Sequence, residues 1–358
     1  MKPKSAPRLY NLDLLRLFSA AMVLMFHYGF RMAIAGDGGG VGFPELAPVA
    51  QWCDAGLLVF FAISGYVIAM SADNRTAYDF AAGRFARLWP TFVVCATITT
   101  AVLLAWPVAS LPRPTAAQWL AQFIIVSRLA GQPFMDGAYW TIVYEIVFYG
   151  WVFLLLAAGW FKGGWRVAML AWLALSAANE WFLHSGIVTK LFITEYSGFF
   201  AFGLVLFHAR RQFDRGAAAL LVLSLAWAVA ATFVIEPRMV EDYNVVRPAW
   251  GVALMAPLAL GAVTLCALAP ALPIRPALAY GIGALTYPLY LLHQHIGYAV
   301  FTRFADTGDR WRVFALLFAA LLFVSWLIAA LLEPPARRAI VEVAGRLKLR
   351  ATALRGAA

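Results

Sequence analysis

Apolar runs of about 18 to 25 residues recur from one end of this 358-residue chain to the other, separated by short segments where Pro, Gly and charge collect. A run of that length crosses the hydrocarbon layer as a helix. Inside hydrocarbon, only a helix or a closed barrel satisfies its own backbone hydrogen bonds. The runs therefore fix the class as all-α: a polytopic membrane protein of about ten transmembrane helices. They are expected near residues 13–33, 55–72, 88–108, 139–159, 165–184, 192–208, 216–235, 248–268, 278–301 and 312–332. The apolar but short segment 116–130 holds Gln118, Gln122 and Arg128 and reads as an interfacial or re-entrant helix. Hydrophobic residues make up 63% of the chain and charged residues 13%, about half the charged share of a soluble domain, so no stretch remains for an ordinary soluble domain.

The net charge of +10 does not point to nucleic acid, because the basic residues sit in the connections rather than on one surface. Assigned to alternate sides, 18 of the 28 Lys and Arg fall on one side, among them Lys2, Lys4, Arg8, Arg75, Arg84, Arg87 and the tail from Arg337 to Arg355. Nine fall on the other, and Arg16 lies within the first span. Cytoplasmic loops hold the excess of positive charge, so both termini are expected in the cytoplasm, with residues 1–335 as the transmembrane domain and 336–358 as a basic cytoplasmic tail. The expected location is the cell inner (plasma) membrane, with many passes. Ala33-Ile34-Ala35 resembles a signal-peptide cleavage site, but Asp13, Arg16 and His27 suit such a segment poorly and nine further spans follow. The longer outer loops 34–54, 107–138 and 236–247 carry acidic residues that would shape an outward-facing acceptor site. Cys53, Cys95 and Cys266 have no ligand-like spacing, so neither a disulfide framework nor a metal site is expected.

Chemistry enters with the intramembrane ionisable groups. Arg16 and His27, eleven residues apart, project from one helix face, with backbones separated by roughly 16 Å along the axis. Snorkelling of Arg16 and an interhelical hydrogen bond of His27 explain the isolated pair equally well. Arg84 and Arg87 share a face at the start of the third span, where positive-inside anchoring competes with phosphate binding. In "GLLVFFAISGYVIAM", Ser64-Gly65 removes volume so that a helix or an acyl chain can approach. In "YWTIVYEIVFYGW", Glu145 lies among Trp140, Tyr144 and Tyr149 and needs a partner, with His27 or an arginine as candidates. His293 lies on the side of Tyr290, whereas His295 points about 200° away, so the two cannot together chelate an ion. Glu180 and His184 are expected to form a local i,i+4 pair.

Taken together, Arg16-x10-His27 in "LDLLRLFSAAMVLMFH", "FFAISGYVI", Arg84-x2-Arg87 before Trp89-Pro90, "YWTIVYEIVFY" and "TYPLYLLH" resemble the acyltransferase 3 family of integral membrane acyltransferases. The resemblance covers nearly the whole chain. It implies O-acyl transfer, often of acetyl, from cytoplasmic acyl-CoA (acetyl-CoA by default) to a hydroxyl of an extracytoplasmic or lipid-linked saccharide. The compatible assignment makes His27 the general base and Glu145 its orienting carboxylate. Arg16, Arg84 and Arg87 hold the coenzyme's phosphates, and Ser64, Tyr66, Trp140, Tyr144 and His293 line the substrate path. Acyl-CoA, a saccharide or glycolipid and membrane lipid are the expected partners, with no metal and no nucleic acid. Some relatives carry an added esterase-like domain, and the short tail implies that this chain acts alone or with a separate partner. A proton-coupled transporter or flippase is the alternative class, since buried Arg, His and Glu serve there too. No strict internal repeat supports it.

Overall fold

The structure, a computed structural model, describes residues 10–306 and 308–356. Lys2, Lys4 and Arg8 lie outside the described residues. Among the described residues every regular element is helical. The main helices are α1 Tyr10–Phe26, α2 Ala55–Ala72, α3 Ala77–Ala105, α4 Trp140–Ala157, α5 Trp165–Ala178, α6 Ser197–Arg211, α7 Arg215–Ile235, α8 Ala249–Leu268, α9 Pro276–Phe304, α10 Arg310–Leu327 and α11 Glu333–Gly356. Eight helical stretches, from Tyr10–Ala35 to Arg310–Arg350, are long and apolar enough to cross a bilayer. Two further expected spans, 165–184 and 278–301, are also helical, as α5 with the π turn Asn179–Leu183 and as α9, but they fall outside that set of eight.

Segment 116–130 is one short helix, Ala116–Ala121, followed by two 3₁₀ turns, and is too short to span. It folds back along the middle of α3: Trp119 Nε1 donates to Thr97 Oγ1 at 3.0 Å, and Trp89 Nε1 donates to the Phe123 carbonyl at 2.8 Å. Those two anchors are eight residues apart on α3, about 12 Å of helix.

Glycines set the closest helix contacts. A Cβ at Gly65 of α2 would clash with the Phe200 carbonyl of α6, and one at Gly203 of α6 would clash with the Ala62 carbonyl of α2. This reciprocal pair lets two backbones touch, which dispersion rewards where lipid offers no hydrophobic drive. A helix therefore takes the gap at Gly65. Helices α1 and α9 run side by side in the same direction: Gly283 faces Asp13, and Gly297 lies under the Tyr28 ring. Tyr28 Oη donates to the His293 carbonyl. That pairing places α9 along the α1 face that carries Arg16 and His27.

After α1 the same helical stretch passes through a π turn, His27–Arg31, and runs on to Ala35. Such turns interrupt the regular ladder and are frequent at functional sites. In this one, His27 and Arg31 both reach Tyr298 of α9.

Candidate active site

Arg16 from α1 and Arg84 and Arg87 from α3 converge on one cavity of about 90 Å³, which Ser64, Glu145, Thr141, Tyr149, Tyr287 and Tyr290 also line. Its charges are poorly matched. Arg16 has Asp13 at 3.9 Å, a long contact, and Arg84 lies 5.9 Å from the Tyr149 ring centroid. Among the described residues Arg87 makes no hydrogen bond or ion pair. Glu145, the one carboxylate lining this cavity among the described residues, accepts from Ser64 Oγ at 3.4 Å and from Tyr149 Oη. Three guanidinium groups against Glu145 and the more distant Asp13 leave an excess of positive charge, and planar donors of this kind match phosphate geometry.

Two buried side chains stand between this cavity and His27. Tyr290 lines the cavity and shares a 2.8 Å hydrogen bond with Thr141 Oγ1. The His293 ring centroid is 5.4 Å from that of Tyr290 and 5.0 Å from that of His27. His293 Nδ1 donates to the Tyr290 carbonyl at 2.6 Å, which fixes the neutral tautomer with a lone pair on Nε2. That Nε2 is buried with no hydrogen-bond partner.

His27 is half-buried, with Nδ1 3.2 Å from Tyr298 Oη. Tyr298 accepts from Arg31 Nη1 at 2.7 Å, Arg31 Nη1 also donates to Asp37 Oδ2 at 2.9 Å, and Asp37 Oδ1 accepts from Ser110 at 2.6 Å. This chain fixes the imidazole from behind. His27 Nε2 makes no hydrogen bond among the described residues.

The remaining sequence candidates separate. His27 and His293 come together, and so do Arg16, Arg84, Arg87, Ser64 and Glu145. Glu145 does not pair with His27: its bonds go to Ser64 and Tyr149, at the arginine end. Tyr66, two residues and about 200° from Ser64, turns away from the cavity, and its hydroxyl accepts from Arg210 at 3.0 Å in the α2–α6 seam. Trp140 and Tyr144 also stay off the cavity and pack with Tyr196, at centroid distances of 5.9 and 5.8 Å. Glu180 bonds Asn179, Thr189 and Thr194 instead of His184. His184 is left-handed at φ 47° and ends the helix, so the i,i+4 geometry is lost. His295 is a structural pin: Nε2 accepts from Gly137 N at 3.1 Å and Nδ1 donates to the Met135 carbonyl at 3.0 Å.

Sequence reasoning missed Tyr298 and Arg31. The signal was present in α9, where Tyr287, Tyr290, His293 and Tyr298 recur at spacings of three to five residues in an apolar helix. Hydroxyls in hydrocarbon require partners.

A family model described as an acyltransferase domain, acyltransferase 3, matches residues 9–330. The chain belongs to this family. No curated protein and no solved structure matches it. The five sequence blocks fall within the acyltransferase domain, and so do both the arginine cavity and His27 with its supports. Of the acyltransferase's main helices, only α11 begins beyond the matched segment.

Proposed function

We propose that this membrane acyltransferase moves an acyl group, acetyl by default, from cytoplasmic acyl-CoA to a hydroxyl of an extracytoplasmic or lipid-linked saccharide, across the cell inner membrane. The observation that carries the proposal is the cavity lined by three arginines and Glu145, from which His27 is separated by the rings of Tyr290 and His293. Arg16, Arg84 and Arg87 bind the phosphates. The acyl thioester then lies farther along α1, toward His27, roughly 16 Å of helix from Arg16.

His27 acts as general base through Nε2, which requires the tautomer with Nδ1–H donating to Tyr298. The Tyr298 oxygen then accepts from both His27 and Arg31. Nε2 takes the acceptor hydroxyl's proton as that oxygen bonds to the thioester carbon. The C–S bond breaks as the tetrahedral intermediate collapses, and the proton on His27 passes to the departing thiolate. His293 Nε2, an acceptor without a partner, accepts from a second hydroxyl of the saccharide and so helps to orient it. Glu145 tunes the arginine cluster rather than the imidazole.

The test uses the full chain in proteoliposomes with labelled acyl-CoA and a saccharide acceptor. His27→Ala is expected to abolish transfer while insertion and coenzyme binding persist. Arg87→Gln is expected to raise the donor KM about tenfold with kcat retained, the loss of one charge-assisted hydrogen bond. Full transfer by His27→Ala refutes the base assignment, and label movement without a covalent product favours a carrier.

A further inference from the structure

Beneath the arginine cavity lies a second, polar cavity of about 40 Å³ that shares Arg87, Gly283 and Tyr287 with it. Asp13 of α1 and Glu333 and Arg337 of α11 complete its charged lining. Helix α11 is held against the start of α3, one turn and more below Arg84: Tyr78 Oη donates to the Ala344 carbonyl at 2.8 Å, and Lys348 Nζ reaches both Asp79 oxygens at 2.7 Å. The tail helix thus forms one wall of the site's mouth, although it begins beyond the segment that defines the family.

We infer that Arg337 is a phosphate-binding residue of this mouth and that it reads the 3′-phosphate of coenzyme A. The inference rests on the acyl-CoA reading of the cavity above it. Among the described residues Arg337, like Arg87, makes no hydrogen bond or ion pair. The lining sets Asp13 and Glu333 against Arg87 and Arg337, and with Arg16 3.9 Å from Asp13 three guanidinium groups share these two carboxylates. The mouth therefore keeps a net positive charge.

The order of groups along the coenzyme assigns the phosphate. Pantetheine separates the thioester from the diphosphate, and the ribose 3′-phosphate lies beyond the diphosphate. Along the protein, His27 comes first, then Arg16, Arg84 and Arg87, then Arg337. The outermost cation meets the outermost phosphate. A membrane phospholipid offers the same phosphate chemistry at this depth, so the experiment must distinguish the two sources.

Equilibrium binding of coenzyme A and of 3′-dephospho-coenzyme A to the full chain is measured in neutral-lipid vesicles and again in vesicles containing phosphatidylglycerol. The wild type should bind coenzyme A about tenfold more tightly than the dephospho form, the size of one charge-assisted contact. Arg337→Gln should remove that preference and leave dephospho-coenzyme A binding unchanged. Glu333→Gln, which removes the opposing charge, should strengthen coenzyme A binding. The neighbouring Arg338→Gln, whose Nε donates to the Pro334 carbonyl at 3.3 Å, should behave as wild type. A preference that persists in Arg337→Gln overturns the inference, as does an Arg337 effect present only in phosphatidylglycerol vesicles, which assigns the residue to lipid. Absence of any coenzyme A binding by the wild type would instead overturn the reading on which it rests.

Discussion

Tyr298→Phe separates the two ends of the site. The substitution removes one oxygen from a buried position and leaves the ring in place. That oxygen holds His27 Nδ1 at 3.2 Å and receives Arg31 Nη1 at 2.7 Å. Arg31 keeps Asp37 at 2.9 Å and Tyr243 at 3.2 Å, so its charge stays paired. The catalytic loss is then the bond that orients the imidazole, worth about 1 kcal/mol and somewhat more in a dry setting, which lowers kcat roughly five- to tenfold. Because Tyr298 does not line the arginine cavity, the donor KM should stay within about twofold of wild type. Initial rates of labelled acyl transfer in proteoliposomes, with donor titrated at saturating acceptor, give both constants. A raised donor KM with kcat intact would place Tyr298 at the donor and refute the orienting role. Wild-type kcat in a folded variant would show that His27 does not depend on Tyr298.

Two further outcomes test the scaffold. Gly65→Ala pushes a methyl group into the Phe200 carbonyl and should cost about 1–3 kcal/mol of stability, whereas Gly150→Ala, with nothing within 4 Å of the added carbon, should melt like wild type in detergent. Equal melting of the two variants would refute the close α2–α6 crossing. Asp214, between two spans, caps α7 by accepting from Ala217 N at 2.9 Å and pairs with Arg166. Ala217 N–H first, and Arg166 with it, hold its carboxyl below the usual carboxylate range. A carboxyl depressed in the folded state stabilises above the unfolded pKa, and that contribution is lost as pH falls through the folded one. Asp214→Ala should therefore lower the melting temperature at pH 7, by a margin that shrinks below about pH 4. A margin independent of pH between 7 and 3 would refute the cap's ionic character.

The sequence determined the helices, since an apolar run long enough to cross a bilayer has no other way to satisfy its backbone. It also determined the common face of Arg16 and His27, because eleven residues return a regular helix almost to its starting angle. The pairing of Arg84 with Arg87 was legible for the same local reason. What the sequence left open was which polar groups meet. Glu145 needed a partner, and several were chemically suitable. The packing of α4 beside α3 put Glu145 among the arginines rather than at His27. Tyr66 and Ser64 stand two residues apart in one block, yet the α2–α6 crossing buried one in a seam and left the other on the cavity. Tyr298 and Arg31 meet His27 through a π turn and through the register of α9 against α1, separations of 271 and 267 residues. Spacing within a helix is local and periodic, so it can be read from the chain. Contact between helices depends on close packing of many side chains at once, and only the folded structure resolves it.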